Sequence, residues 1–324
     1  MDFYKNIEKE YFLSQLLCKI YDDISSGLSK KKQYLLQEIW EKFLISSIYN
    51  KYDQYNETIF LENCKKQSIE INEFCFQQHL MKLNNWVVEF ETQWNNGLIT
   101  TQPLVDTQNT FIYKKFKKVI NIDVYKYLLQ KTAEFYKDIL QQRSTILISL
   151  LKYHNLYFRK AHMMLHTNVI NQYILHNEPF IDGYSSPFCR LISSESYYSL
   201  LDDTHLGSSG NILNTSFSSF INKILVLHPP HIETFIIQCI DFVCNLISYI
   251  KYEKKSIKII LAIPKIYLHK NNPSTSCYKQ LLNHSNLIKQ TNEFFKTSMY
   301  NFYDYNGMLK TIHDDIIVIF ELIV

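Results

Sequence analysis

A chain of 324 residues with 46% hydrophobic and 20% charged residues is too apolar to be disordered and too long for one small core, so two domains, or one with a large helical extension, are expected. The formal net charge of +3 does not mark a nucleic-acid-binding protein, and any such claim has to come from local patches. Seven cysteines scattered without CxxC spacing predict reduced thiols inside a cell, with neither zinc nor disulfides.

Up to residue 165 the only glycines and prolines are Gly27, Gly97 and Pro103. Charged residues from Asp2 to Glu10 break every apolar window behind Met1, so no secretory signal is expected there. Apolar residues recur at helical spacing in 7–24, 30–51, 70–94, 121–141 and 142–165, which predicts a helical domain over 1–165. Asn95 to Asp106 reads as an internal loop.

Two lysine clusters in this half are candidate RNA contacts. One is Lys30-Lys31-Lys32; the stronger is Tyr113, Lys114, Lys115, Phe116, Lys117 and Lys118, where aromatics could stack bases while ammonium groups hold phosphates. The competing reading is a solvated lysine face. Tyr153, His154, Tyr157, Phe158 and Arg159 could stack on a cap, although their helical spacing favours core packing.

The domain junction is expected between Thr167 and Ser186. Beyond it, short β-branched runs at 223–227, 257–263 and 315–324 are separated by helical patterns, which predicts βαβ units and a mainly parallel sheet over 166–324. Phe235 to Ile250 is apolar but contains Gln238, Asp241 and Asn245 and is short for a bilayer, so a buried helix is expected. A third cluster, Lys251, Lys254, Lys255 and Lys258, follows it. A soluble intracellular protein, nuclear or cytoplasmic and without membrane contact, is the expected setting.

The most informative feature is the run Lys223 to Leu227, which stops at His228-Pro229-Pro230-His231 before the chain enters that apolar helix. A strand ending in two prolines makes a rigid corner at the carboxyl edge of a sheet, where open α/β folds bind ligands. The plain alternative is that the prolines only end a strand and open a helix. A metal held by His228 and His231 lacks a third ligand.

Methyltransferases acting on exocyclic amines carry Asn or Asp, Pro-Pro, then Phe or Tyr at such a corner. Gly183-Tyr184-Ser185-Ser186-Pro187-Phe188 is similar to the CFASPLN stretch of the phosphorylated-CTD-interacting factor family, the cap-specific mRNA adenosine-N6 methyltransferases. Asp203-Thr204-His205-Leu206-Gly207-Ser208-Ser209-Gly210 resembles that family's PDTD..FGSxG segment, shortened by two residues. The strands at Ile259–Pro264 and Ile316–Phe320 fall where the family has FIVFIPEW and TAVLFLQ.

The resemblance implies an α/β fold: a helical N-terminal domain (1–165), then a Rossmann-like class I methyltransferase domain (166–324) that binds S-adenosylmethionine and methylates the first adenosine of capped mRNA. By it, Asp203, Thr204, Gly207, Ser208 and Gly210 would contact the cofactor. His228 would stand where Asn accepts an amine hydrogen, Pro229 would offer its carbonyl, Pro230 would set the backbone, and His231 would replace the stacking aromatic. A protonated imidazole accepts nothing, and a neutral one is longer and differently directed than Asn.

Three classes remain open on the residues. One is a pseudo-methyltransferase acting as an RNA-binding or scaffold subunit, beside an active methyltransferase or the transcription and capping machinery. The second is an active RNA adenine methyltransferase using His228 as the amine acceptor. The third is an unrelated helical binding protein. Animal members of the family carry a WW domain, whereas Trp40, Trp86 and Trp94 sit on helical patterns here, so polymerase-tail binding is not implied.

Overall fold

A computed structural model describes residues 3–49, 57–101, 104–107, 109–156, 164–165, 167–175, 178–188, 194–230, 233–264, 275–294, 301–303, 309–311 and 317–324. The chain forms two compact units, one from 1–119 with 133–160 and the other from 120–132 with 161–324. The second unit therefore takes in a helix that the sequence assigned to the N-terminal half.

In the first unit the helices α1 (Phe3–Ser25), α2 (Lys30–Tyr49), α3 (Glu57–Lys66) and α4 (Glu73–Asn95) form where apolar side chains recur every three to four residues. On α1 the buried apolar positions are Ile7, Tyr11, Leu17, Ile20, Tyr21 and Ile24. Trp40, Phe43, Phe60 and Phe76 meet in an aromatic core, with Phe60 and Phe76 centroids 4.5 Å apart and Trp40 edge-on to Phe60 at 5.7 Å. Asn72 caps α4 by accepting the Cys75 N–H at 3.0 Å, and Gly97, at φ +68°, follows its end.

The chain then departs from the all-helical expectation. β1 (Val105–Thr107), β2 (Thr110–Tyr113) and β3 (Phe116–Val119) form an antiparallel meander. Phe111, Tyr113 and Phe116 point inward, and the lysines between them hide that alternation in a reading by composition. The expected helix over 121–141 is also two elements. α5 (Ile122–Ala133) belongs to the second unit, and α6 (Ile139–Leu156) starts afresh where Asp138 accepts the Leu140 N–H at 3.0 Å and the Gln142 side-chain amide donates to the Tyr136 carbonyl at 2.8 Å. Polar caps interrupt a pattern whose apolar spacing runs on.

The second unit is mixed α/β around a mostly parallel sheet. After β4 (Met164–Leu165) and α7 (Thr167–Ile170) come β5 (Phe180–Ser185), β6 (Ser194–Ser199), β7 (Ile224–Leu227), α8 (Glu233–Tyr252), β8 (Lys258–Pro264), α9 (Thr275–Leu282), β9 (Ile288–Phe294), β10 (Asn301–Tyr303), β11 (Leu309–Thr311) and β12 (Ile317–Ile323). The main sheet has the order β6-β5-β7-β8-β12-β9, and a small sheet joins β11, β10 and β4. β6, β5, β7 and β8 pair in parallel; β12 is antiparallel to both neighbours, so it alone runs backwards, between β8 and β9.

The strands expected at 223–227, 257–263 and 315–324 are present, with Leu225, Val226, Ile260, Leu261, Val318 and Ile319 buried. Burial on both faces explains their unbroken apolar runs. Leu225, Leu227, Ile259 and Leu261 pack with Ile236, Ile240, Val243 and Ile247 of α8, while Ile224, Val226 and Ile260 pack with Val169, Ile170 and Tyr173 on the other face. Among the described residues α8 is the one helix long and apolar enough to cross a membrane, and here its apolar residues enter this core.

The segment 167–186, read as the domain junction, contains β5, a strand buried along its length. Asp182 and Gly183 in its middle break the β-branched signature. β6, reading Ser-Glu-Ser-Tyr-Tyr-Ser, lacks it as well.

Candidate functional site

From β5 the chain passes to β6 on one side, returns across β5 to β7, and continues to β8 on the other. That reversal marks the carboxyl ends of β5 and β7 as the position where open α/β sheets bind ligands. Asp182 pairs with Val226 across those strands, and Ser185 with Ser199 across β5 and β6. The segments leaving the three strands, Ser186-Pro187-Phe188, Leu200 to Asp203, and His228-Pro229-Pro230, thus emerge side by side at one edge.

Gly183 allows the approach. A Cβ there would lie 2.7 Å from Ile212 Cδ1 and 3.2 Å from the Val226 carbonyl oxygen, and closer still to Leu227 Cδ2. The corner itself is enclosed: His228 is 4% exposed, Pro229 and Pro230 are buried, and Ser186 and Phe188 are fully buried. Burial of Cys239 on α8 pushes its thiol up, against a hydrogen bond with Tyr184, so that sulfur is held protonated and is no nucleophile. His231 lies outside the described residues. Among the described residues no three His, Cys, Asp or Glu side chains come together as a metal site.

The glycine segment, expected from the resemblance to contact the cofactor, pairs with β6. The Ser209 N–H donates to the Tyr197 carbonyl at 2.8 Å and the Ser199 N–H to the Gly210 carbonyl at 2.9 Å, so the segment lies along β6 and covers the edge of the sheet. The Gly207 N–H donates to Thr204 O at 3.0 Å, the Ser208 N–H to Asp203 O at 3.2 Å, and the Gly210 N–H to Ser208 Oγ at 3.1 Å. Every amide from 207 to 210 is engaged within the loop or with β6, and none is left to hold a ligand carboxylate.

Side chains reinforce this arrangement. Ser199 donates to Ser208 Oγ at 2.6 Å, and the Tyr197 hydroxyl donates to Leu206 O at 2.8 Å. Thr204 is exposed with its hydroxyl on Asp202 Oδ1 at 3.0 Å, whereas Asp203 is buried at the end of β6. Gly207 holds φ +91° with Tyr127 and Lys131 of α5 against it. A bulky side chain at 207 would therefore disturb packing as well as any pocket.

The cluster at 113–118 turns its aromatic side chains inward. Tyr113 is 1% exposed, and its hydroxyl donates to Glu8 Oε1 at 2.5 Å. Lys114 Nζ donates to Glu8 Oε2 at 2.6 Å, beside the rings of Tyr11, Phe12 and Tyr113 at 5.1 to 5.7 Å. Phe116 is buried against His154, ring centroids 5.3 Å apart. Both aromatics face the core, so neither can stack a base; only Lys115 and Lys117 are exposed. Tyr153 is fully buried, as helical spacing favoured, while Tyr157, Phe158 and Arg159 lie outside the described residues.

No family model matches this chain, and no curated protein matches it either.

Proposed function

We propose that the second unit is a methyltransferase-type domain whose chemistry has decayed, and that the protein acts as an RNA-binding or scaffold subunit rather than a catalyst. The observation that carries this reading is the His228-Pro229-Pro230 corner at the carboxyl end of β7, beside the carboxyl end of β5 where the strand order reverses. A mostly parallel sheet with α8 packed on one face is compatible with the fold half of the proposal.

Methyl transfer to an aromatic amine needs acceptors that aim the nitrogen lone pair, and here one carbonyl, that of Pro229, and one enclosed imidazole stand where two aligned acceptors are required. S-adenosylmethionine would lack backbone donors at 207–210, where the resemblance puts its amino-acid end. The residues present therefore do not fit the cofactor role.

Equilibrium binding of S-adenosylmethionine to purified protein is the test, followed by methylation of m7G-capped, adenosine-initiated RNA. No binding at millimolar cofactor is expected. Methylation by the unaltered protein that disappears in His228→Ala would overturn the proposal and make His228 the amine acceptor.

A further inference from the structure

We propose that the turn closing α8, Lys251-Tyr252-Glu253-Lys254-Lys255, is a contact surface for single-stranded RNA, with Tyr252 stacking a base and the three lysines holding phosphates. The proposal deepens the RNA-facing part of the function above and rests on it.

Tyr252 is 83% exposed, more than any other large hydrophobic side chain among the described residues. It ends a helix whose other large apolar side chains mostly enter the core, so the ring is turned outward where packing gives no reason for it. All residues from 251 to 256 are exposed, and among the described residues Lys251, Lys254 and Lys255 form no ion pair. Neighbouring lysines behave differently: Lys223 pairs with Glu195 at 2.8 Å, and Lys258 with Glu321 at 2.8 Å.

The turn is also closed by its own backbone hydrogen bonds. The Lys254 N–H donates to Lys251 O at 3.2 Å and the Lys255 N–H to Ile250 O at 3.1 Å, while Lys254 holds φ +54° at a position where helices usually place glycine. A helix C-terminus favours a cation in its last turn, which accounts for Lys251 but not for Lys254 and Lys255 beyond the end. The positive field reaches the turn after α9, where burial first and the Lys251 ammonium second hold His284 below the usual histidine range.

An exposed ring flanked in the chain by three exposed lysines, with Glu253 the one acidic residue among them, suits an unstacked base with flanking phosphates. A membrane surface would call for several apolar side chains, and 251–256 offers only one aromatic. The turn leads into the start of β8, so it lies at the amino edge of the parallel strands, opposite the corner at His228.

Fluorescence anisotropy with a short labelled oligouridine, between about 50 and 200 mM salt, tests this without any cofactor, so its failure is distinct from failure to bind S-adenosylmethionine. Tyr252→Ala should weaken binding about tenfold and Tyr252→Phe should restore it, because stacking needs the ring and not the hydroxyl. Replacing Lys251, Lys254 and Lys255 by Ala should lower the slope of log affinity against log salt by about 2, at roughly 0.7 per lost contact. Unchanged affinity in both variants would overturn the proposal, as would loss in a Lys115→Ala, Lys117→Ala double variant instead. Binding to phosphatidylserine vesicles with none to RNA would overturn it in favour of a membrane surface.

Discussion

Lys114→Met removes an ammonium from the interior of the first unit while keeping most of its stem, and it separates a structural lysine from an RNA-binding one. Glu8 is fully buried, and its two oxygens take the Tyr113 hydroxyl and the Lys114 ammonium. With Lys114 gone, a carboxylate remains in the core with one neutral donor. Breaking a buried pair in this way costs about 3–5 kcal/mol, and the lower end applies because the Lys114 side chain retains 19% exposure. With a urea dependence of about 2 kcal/mol per molar, the midpoint should fall by roughly 1.5 M. All three tryptophans, Trp40, Trp86 and Trp94, belong to the first unit, so intrinsic fluorescence reads its unfolding selectively. Adding Glu8→Gln removes the stranded charge and keeps an acceptor for Tyr113, so the double variant should recover to within about 1 kcal/mol of the parent. A single-variant loss below about 1 kcal/mol, or a double variant as unstable as the single, would refute the buried-pair account.

Acid should destabilise the same unit through His154. Burial, then the Lys118 charge, holds it down to about 4, so the unfolded chain takes up a proton below about 6.5 that the folded unit refuses until about 4. The stability it contributes is whole above pH 6.5 and is lost as pH falls through 4; at pH 4.5 the loss is about 2–3 kcal/mol, and His154→Gln should remove that part of the pH dependence in urea titrations at pH 7 and 4.5. In the second unit, Gly183→Ala forces a methyl group onto Leu227, Ile212 and the Val226 carbonyl and should cost about 1–3 kcal/mol, read as a lowered midpoint by circular dichroism. An unchanged midpoint would mean that β5 and β7 are not closely apposed there.

What the amino-acid sequence determined by itself was the set of central strands. Runs such as Ile224 to Leu227 and Ile259 to Ile263 are buried on both faces, so their apolar character needs no knowledge of a partner strand. The proline corner was legible for the same local reason, since proline dictates the backbone wherever it stands. β5 and β6 were not legible, because Asp182, Gly183 and a row of serines fit a strand only once neighbouring strands and the 203–210 segment supply hydrogen bonds to them.

Tertiary structure alone decided which polar groups are free to act. Lys114 and Lys254 are both lysines at positive φ in tight turns and look alike in sequence. One is drawn into the core by a carboxylate more than a hundred residues away along the chain, at Glu8, and the other ends a helix in open solvent. Whether a charge is compensated depends on partners brought together by folding, and neither composition nor spacing along the chain carries that information.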